Sequence, residues 1–185
     1  MFQTEYNCFK FEITEIFDAK ADMVQLANFN FKYENNDIDM SKCKLYNLNG
    51  RSPRNEQVNN LIDGDCDTKF LDFNFNEYNK SDVIFKFKNN VSIDAYELCT
   101  ANDCQGRDPK SWNLYGSSDN NKWVLLDSQT ISQTYGRFAK MGPYDLELTR
   151  ITPEDNFMSE QEKNHELAGD IYSSEQEDSN EWSDD

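Results

Sequence analysis

Apolar and polar positions alternate along much of the chain. Phe9, Phe11 and Ile13 are spaced two apart, as are Phe29, Phe31 and Tyr33, then Leu71, Phe73 and Phe75, then Val83, Phe85 and Phe87. Period two is the pattern of a strand with one face buried. Further apolar pieces at 91–98, 112–115 and 123–126 are separated by the turn-like runs NN, ANDCQGRDP and GSSDNN. Short strands punctuated in this way predict an all-β sandwich or barrel. Before residue 150 no convincing 3.6-residue period predicts a helix. The longest polar interval, residues 34–60, is too long for a hairpin connection. It is either a binding loop or a solvated excursion.

Composition sharpens this picture in one respect. With 13 Phe and 9 Tyr, the chain has the β-favouring bulk that a disordered sequence lacks, so most of its 185 residues are expected to fold as one domain. Charge divides the chain: residues 151–185 carry 12 acidic residues and one lysine, whereas residues 1–150 carry 23 acids and 17 bases. Residues 1–150 are therefore read as a β-sandwich domain. Residues 151–185 are read as an acidic tail, with a marginal helix start at Thr152, Pro153 and Asp155 and otherwise without order.

The net charge of -17 leaves no basic patch for phosphate backbones, so nucleic acid is not an expected partner. The first 17 residues lack the basic and apolar regions of a signal peptide, and the run of roughly 18 apolar residues a membrane helix needs is absent. No membrane insertion is expected. Cys8, Cys43, Cys66, Cys99 and Cys104 are odd in number and scattered, which suits reduced thiols in the cytoplasm or another intracellular compartment.

Common catalytic patterns are missing. The one histidine, His165, falls in the acidic tail, which leaves the folded region without imidazole for a nucleophile pair or a zinc site. No phosphate-binding glycine loop and no CxxC pair are present. Carboxylates are plentiful but no spacing marks a catalytic pair. The chain is read as non-enzymatic.

Two segments are more specific: NLIDGDCDTKFLDF at 60–73 and AYELCTANDCQGRDPKSWNLYGSSDNNKWVLLD at 95–127. In the first, Asp63, Gly64, Thr68 and Phe70 form a DGxxxTxF run. In the second stand Thr100-Ala101-Asn102-Asp103, Arg107-Asp108-Pro109, Trp112, Leu114, Gly116-Ser117, Trp123 and Leu126-Asp127. In this order they resemble the discoidin, or coagulation factor V/VIII type C, domain of the galactose-binding-like superfamily. The resemblance covers about residues 9–140 and is strongest over 60–127. It implies a jelly-roll β-sandwich that binds glycans, phospholipid headgroups or proteins through loops at one end. Phe70 replaces the family's usual Trp. The C-terminal end is short, leaving Arg137 as the expected arginine before an abbreviated closing strand at 144–148.

These residues define the expected site. Trp112 and Leu114 belong in the core, and Pro109 and Asp108 shape the turn ahead of them. Arg107 either holds that loop by pairing with Asp103 or a neighbouring carbonyl, or grips a ligand. In the long interval, Tyr46, Arg51, Arg54, Asn55 and Gln57 are the candidate ligand contacts. The resemblance also implies a structural Ca²⁺ at 60–68, held by Asn60, Asp63, Asp65 and Thr68, with Glu147 closing the site. The alternative there is a plain Asp-Gly turn without metal. The expected function is a non-catalytic recognition module for a protein partner or a glycan. The alternative is a scaffold subunit of a larger assembly with no small-molecule ligand.

Overall fold

The computed structural model describes residues 5–146. The described chain is all-β, with every strand pairing antiparallel. Five strands form one sheet: β1 (Glu5–Ile16), β5 (Lys44–Leu48), β7 (Ser81–Ser92), β9 (Pro109–Ser117) and β10 (Val124–Thr130), in the order β10-β9-β1-β7-β5. Four form a second: β3 (Asn28–Tyr33), β4 (Asn36–Asp37), β8 (Ala95–Cys99) and β11 (Lys140–Asp145), in the order β11-β8-β3-β4. A two-stranded ribbon pairs β2 (Val24–Leu26) with β6 (Phe70–Asp72).

The alternation seen in the sequence puts one face of each large sheet into a shared core. Phe9, Phe11 and Ile13 on β1, Phe29 and Phe31 on β3, and Phe85 on β7 are essentially inaccessible to water. Their rings interlock across the gap: Phe9 lies 4.7 Å from Phe31, Phe11 5.1 Å from Phe29, and Phe29 4.6 Å from Phe85, centroid to centroid. Tilted and edge-on contacts at these distances suit the ring quadrupoles and add to the burial of large apolar surface. The result is a sandwich of two sheets with an aromatic interior. Trp112 and Leu114 occupy this core as expected, and so does Phe70, which removes it from ligand contact.

Turns follow local chemistry. Tyr33 pairs with Asn36 across β3 and β4, leaving Glu34 and Asn35 as a two-residue turn, both at positive φ. That conformation matches the twist of a tight hairpin. Gly116 is needed for close approach, since a Cβ there would meet the Tyr6 ring at 2.3 Å.

Three expectations differ from the structure. The alternation Leu71, Phe73, Phe75 does not continue as a strand: β6 stops at Asp72, and a single helical turn, α1 (Phe75–Tyr78), follows. The Asp72 carboxylate accepts from the backbone N–H of Arg51 and Asn74 and from the Ser81 hydroxyl, drawing the backbone away from the ladder. The interval 34–60 is not one loop, because Lys44–Leu48 pairs with β7. The closing strand is Lys140–Asp145, earlier than the expected 144–148. Its partner is β8, through Lys140 opposite Cys99 and Tyr144 opposite Tyr96. Glu147, His165 and the acidic segment 151–185 lie outside the described residues.

Candidate functional site

Strand register gathers the sequence-specific loops at one end of the sandwich. Ile16 faces Pro109, and Asn28 and Lys140 both face Cys99, so the segments 17–27, 49–80, 100–108 and 131–139 all emerge there. A buried polar network ties them together. Asp108, on the loop entering β9, receives the Arg137 guanidinium through both Nη atoms. Arg137 Nη1 also donates to the Ala101 carbonyl at 3.0 Å. Gln25, fully buried on β2, donates to the Asp103 and Cys104 carbonyls at 2.6 and 3.1 Å. Lys69, also buried, donates to Gln25 Oε1 at 3.2 Å and to Asp103 Oδ1 at 2.7 Å.

Burial raises the Asp108 carboxyl above its ordinary range, and Arg137 opposes that shift. Asp103 moves the other way: burial acts to raise it, but Lys69, then Arg107 and Gln25, prevail and lower it. The expected pairing of Arg107 with Asp103 is therefore replaced. Lys69 makes the ion pair, and Arg107 acts on Asp103 through its charge alone. The network ties these loops into one arrangement through several bonds per group, with Arg137 Nε its one member atom left without a partner among the described residues.

Beside this end, on the outer face of the four-stranded sheet, lies a groove of about 560 Å³. Its floor comes from positions that alternate with the core: Asn28 and Asn30 on β3, Glu97 on β8, and Lys140 on β11. One wall is the 38–41 segment with Ile38, Asp39 and Met40; the other is the 62–66 segment with Ile62, Asp63 and Cys66. Its size falls in the range of small-ligand clefts. The Asn28 and Asn30 side chains make no hydrogen bond among the described residues, so both amides are available to a ligand. The carboxylates are already paired. Asp39 accepts from Ser41 and Lys42, which hold it at about 2, and Glu97 lies 3.4 Å from Lys32 and 4.0 Å from Lys140. Partnered carboxylates of this kind offer hydrogen-bond acceptors to a ligand.

The loop expected to hold Ca²⁺ forms the second wall. Gly64, at φ 77°, turns the chain between Asp63 and Asp65. Asp63 Oδ1 accepts from the Asp65 N–H at 2.9 Å, Asp63 Oδ2 from the Thr68 hydroxyl at 2.7 Å, and Asp65 Oδ1 from the Asp67 N–H at 2.9 Å. Asn60 turns its NH₂ to the Asn55 and Lys69 carbonyls. Calcium takes about six to eight oxygens. Here three carboxylate oxygens serve the loop itself, and among the described residues no three Asp, Glu, His or Cys side chains gather to hold a metal. As folded, the described donors form a self-satisfied turn, and Glu147, expected to close the site, lies outside the described residues.

The expected ligand contacts do not converge. Tyr46 projects from β5 on the outer face of the five-stranded sheet, about half exposed. Arg51 lies 5.1 Å from the Phe73 ring and donates to Asn74 Oδ1 at 3.3 Å, which engages it internally. Arg54 and Asn55 follow on the same loop, where Asn55 serves Asn60 and Gln57 donates to the Ser52 and Pro53 carbonyls. Arg107 sits apart in the turn before β9. None of these lines the groove. The groove residues Asn28 and Asn30 did carry a signal: they are the polar half of the alternation that marked Phe29 and Phe31 as core.

No protein-family model matches the chain, and no solved structure matches it. Among curated proteins, a peptide-N(4)-(N-acetyl-beta-glucosaminyl)asparagine amidase of Arabidopsis thaliana is similar, with 49% identity over 47 residues. That stretch is 25% of this chain and spans only 6% of the amidase. Among the described residues, no helix is long and apolar enough to cross a membrane.

Proposed function

We propose that this chain is a non-catalytic recognition module of discoidin-like jelly-roll architecture, and that the groove beside its loop end receives a polar segment of a protein partner. The observation that carries this is the pair of unengaged amides, Asn28 and Asn30, on the floor of a cleft walled by Ile38, Met40 and Ile62. Two amides on the same face of one strand can bond an extended backbone while the apolar walls take side chains, a division of labour common in peptide recognition. The acidic lining, with Asp37, Asp39, Asp63 and Glu97 against Lys140, favours a partner segment of neutral or basic character. The discoidin assignment is supported by the DGxxxT turn, the burial of Trp112 and the seating of Arg137 on Asp108.

A glycan is the second reading. It is favoured by the similarity to an amidase whose name specifies an N-acetylglucosaminyl-asparagine bond, and by the hydroxyl-matching amides and carboxylates. Against it, the one aromatic ring at the groove, Phe29, is buried and leaves no platform for a sugar face. A scaffold subunit without a ligand is the remaining alternative.

The test is affinity capture with the full chain and with an Asn28→Ala/Asn30→Ala variant, run beside a glycan array. One stoichiometric protein, retained by the native chain and lost by the variant, supports the first reading. A glycan hit lost by the variant replaces it with the second. A partner held equally by both forms moves binding away from the groove.

A further inference from the structure

The five cysteines differ in what their thiols can reach. Cys8 and Cys43 are buried, and burial pushes the Cys43 thiol up to about 12. Cys104 is exposed, but it stands alone on the loop before β9. Cys66 and Cys99 combine access with a partner. Cys66 is half-buried on the 63–68 loop, where it packs against the buried cluster of Ala27, Cys99 and Ala101. Cys99 ends β8 with its side chain on the outer face of the sheet, and both residues line the groove. The Cys99 thiol donates to the Thr100 carbonyl at 3.7 Å, and burial, with the neighbouring Cys66 thiol adding to it, pushes its pKa up to about 12. Solvent therefore meets Cys66 first, and Cys99 belongs to the buried cluster that Cys66 packs against.

We propose that Cys66 and Cys99 are a redox pair that closes to a disulfide when the protein meets hydrogen peroxide, stapling the 63–68 loop to β8 and fixing one wall of the groove. In the first step the Cys66 sulfur attacks the peroxide; the O–O bond breaks, Cys66 becomes a sulfenic acid, and one water leaves. In the second the Cys99 sulfur displaces the hydroxyl from Cys66, its proton leaving with that oxygen as a second water. Two thiols are oxidised by two electrons and one peroxide is reduced. The bond links the loop before β6 to the last residue of β8, so it closes a long stretch of chain, including all of β7, into a covalent loop. This chemistry does not depend on what the groove binds.

The test treats the full-length reduced chain with hydrogen peroxide under native conditions, blocks remaining thiols with an alkylating agent, and maps the peptides by mass spectrometry. The expected product has lost two hydrogens, joins the Cys66 and Cys99 peptides, leaves Cys8 and Cys43 alkylatable only after denaturation, and reverts with dithiothreitol. Cys66→Ser abolishes the linked peptide, and since Cys66 is only half-buried this variant is expected to fold; Cys99→Ser leaves a trapped Cys66 sulfenic acid that a dimedone probe captures. The disulfide form is expected to melt higher by about 5–10 °C. Over-oxidation of Cys66 with Cys99 intact, a Cys66–Cys104 bond, or no reaction at Cys66 overturns the proposal. A Cys66–Cys99 bond that lowers the melting midpoint overturns the stapling role. A failed partner screen leaves the proposal standing, which separates its failure from that of the recognition reading.

Discussion

The Arg137 guanidinium closes on the Asp108 carboxylate with both of its terminal nitrogens, and the carboxylate is 2% exposed. The two groups come from different loops at the same end of the sandwich, so their contact joins the segment entering β9 to the one entering β11. Removing one partner of a buried pair strands the other as an uncompensated charge, which costs about 3–5 kcal/mol. Arg137→Ala is therefore expected to lower the unfolding free energy by about that amount in urea titration, and Arg137→Lys by less, since the charge remains but the two-pronged geometry is lost. A loss below about 0.5 kcal/mol for Arg137→Ala would place this contact among surface ion pairs of little weight.

A second link crosses the core. Trp112 on β9 donates from Nε1 to the Tyr96 hydroxyl at 2.7 Å, and that hydroxyl donates to Asp127 Oδ2 at 2.6 Å. Tyr96 belongs to β8, so one buried hydroxyl joins the two sheets. Burial first, then the Asp127 carboxylate, push Tyr96 above the ordinary phenol range, which keeps it protonated as a donor. Tyr96→Phe preserves the ring but strands the Trp112 N–H, and a buried unsatisfied donor costs about 1–3 kcal/mol. The expected result is a lower urea midpoint with unchanged slope, and a change in near-ultraviolet circular dichroism from Trp112. An unaltered midpoint would show that water replaces the hydroxyl.

How far these relationships were legible in sequence depends on their range. Phe9, Phe11, Phe29, Phe31 and Phe85 could be assigned to the core because alternation is a local property of a strand. Asp63, Gly64 and Thr68 could be assigned to one turn because all their partners lie within five residues. Strand Lys44–Leu48 escaped because KLYNL has little alternation of its own and is held by pairing with β7. Lys69 and Gln25 escaped for a related reason. Their partners lie 34 and 78 residues away, and nothing local distinguishes a lysine that will be buried from one that will be solvated. The groove was half legible: the pattern put Asn28 and Asn30 on an outer face, but only the fold shows which loops wall that face.

Glu12 supplies a pH signature. It lies on β1 at the outer face of the five-stranded sheet, 3.3 Å from Lys80 and 3.4 Å from Lys10, and accepts from Asn113 at 3.2 Å and Tyr115 at 3.0 Å. Burial acts to raise its pKa, but Asn113, Lys10, Tyr115 and Lys80 outweigh it and hold the carboxyl at about 2. A carboxyl depressed in the folded state stabilises the fold above its unfolded pKa, and that contribution is lost as pH falls toward the folded value. The window is thus from about 4.5, its ordinary value, down to about 2. Glu12→Gln is expected to cost on the order of 1–3 kcal/mol at neutral pH, with the gap narrowing across that window and closing below it. Paired denaturation curves at several pH values measure this; a gap constant with pH would mean that the variant acts through packing.

The loop at 63–68 separates two accounts of the same aspartates. Asp63 accepts from the Asp65 N–H and the Thr68 hydroxyl, an arrangement that holds the turn without any ion. Removing the carboxylate leaves one N–H and one hydroxyl to water at a largely exposed site, so Asp63→Ala is expected to cost about 1 kcal/mol, close to the loss of a helix-cap hydrogen bond. That loss is expected to be the same in millimolar calcium and in chelator, since a turn satisfied by its own N–H and O–H donors has nothing to gain from the ion. A bound structural ion behaves differently: it raises the melting midpoint of the native chain by mass action, and the rise disappears in the variant. Thermal unfolding of both forms with and without calcium distinguishes the two. A calcium-dependent rise in the native chain, abolished by Asp63→Ala, would show that the loop opens its carboxylates to a cation and that the turn described here is the ion-free state.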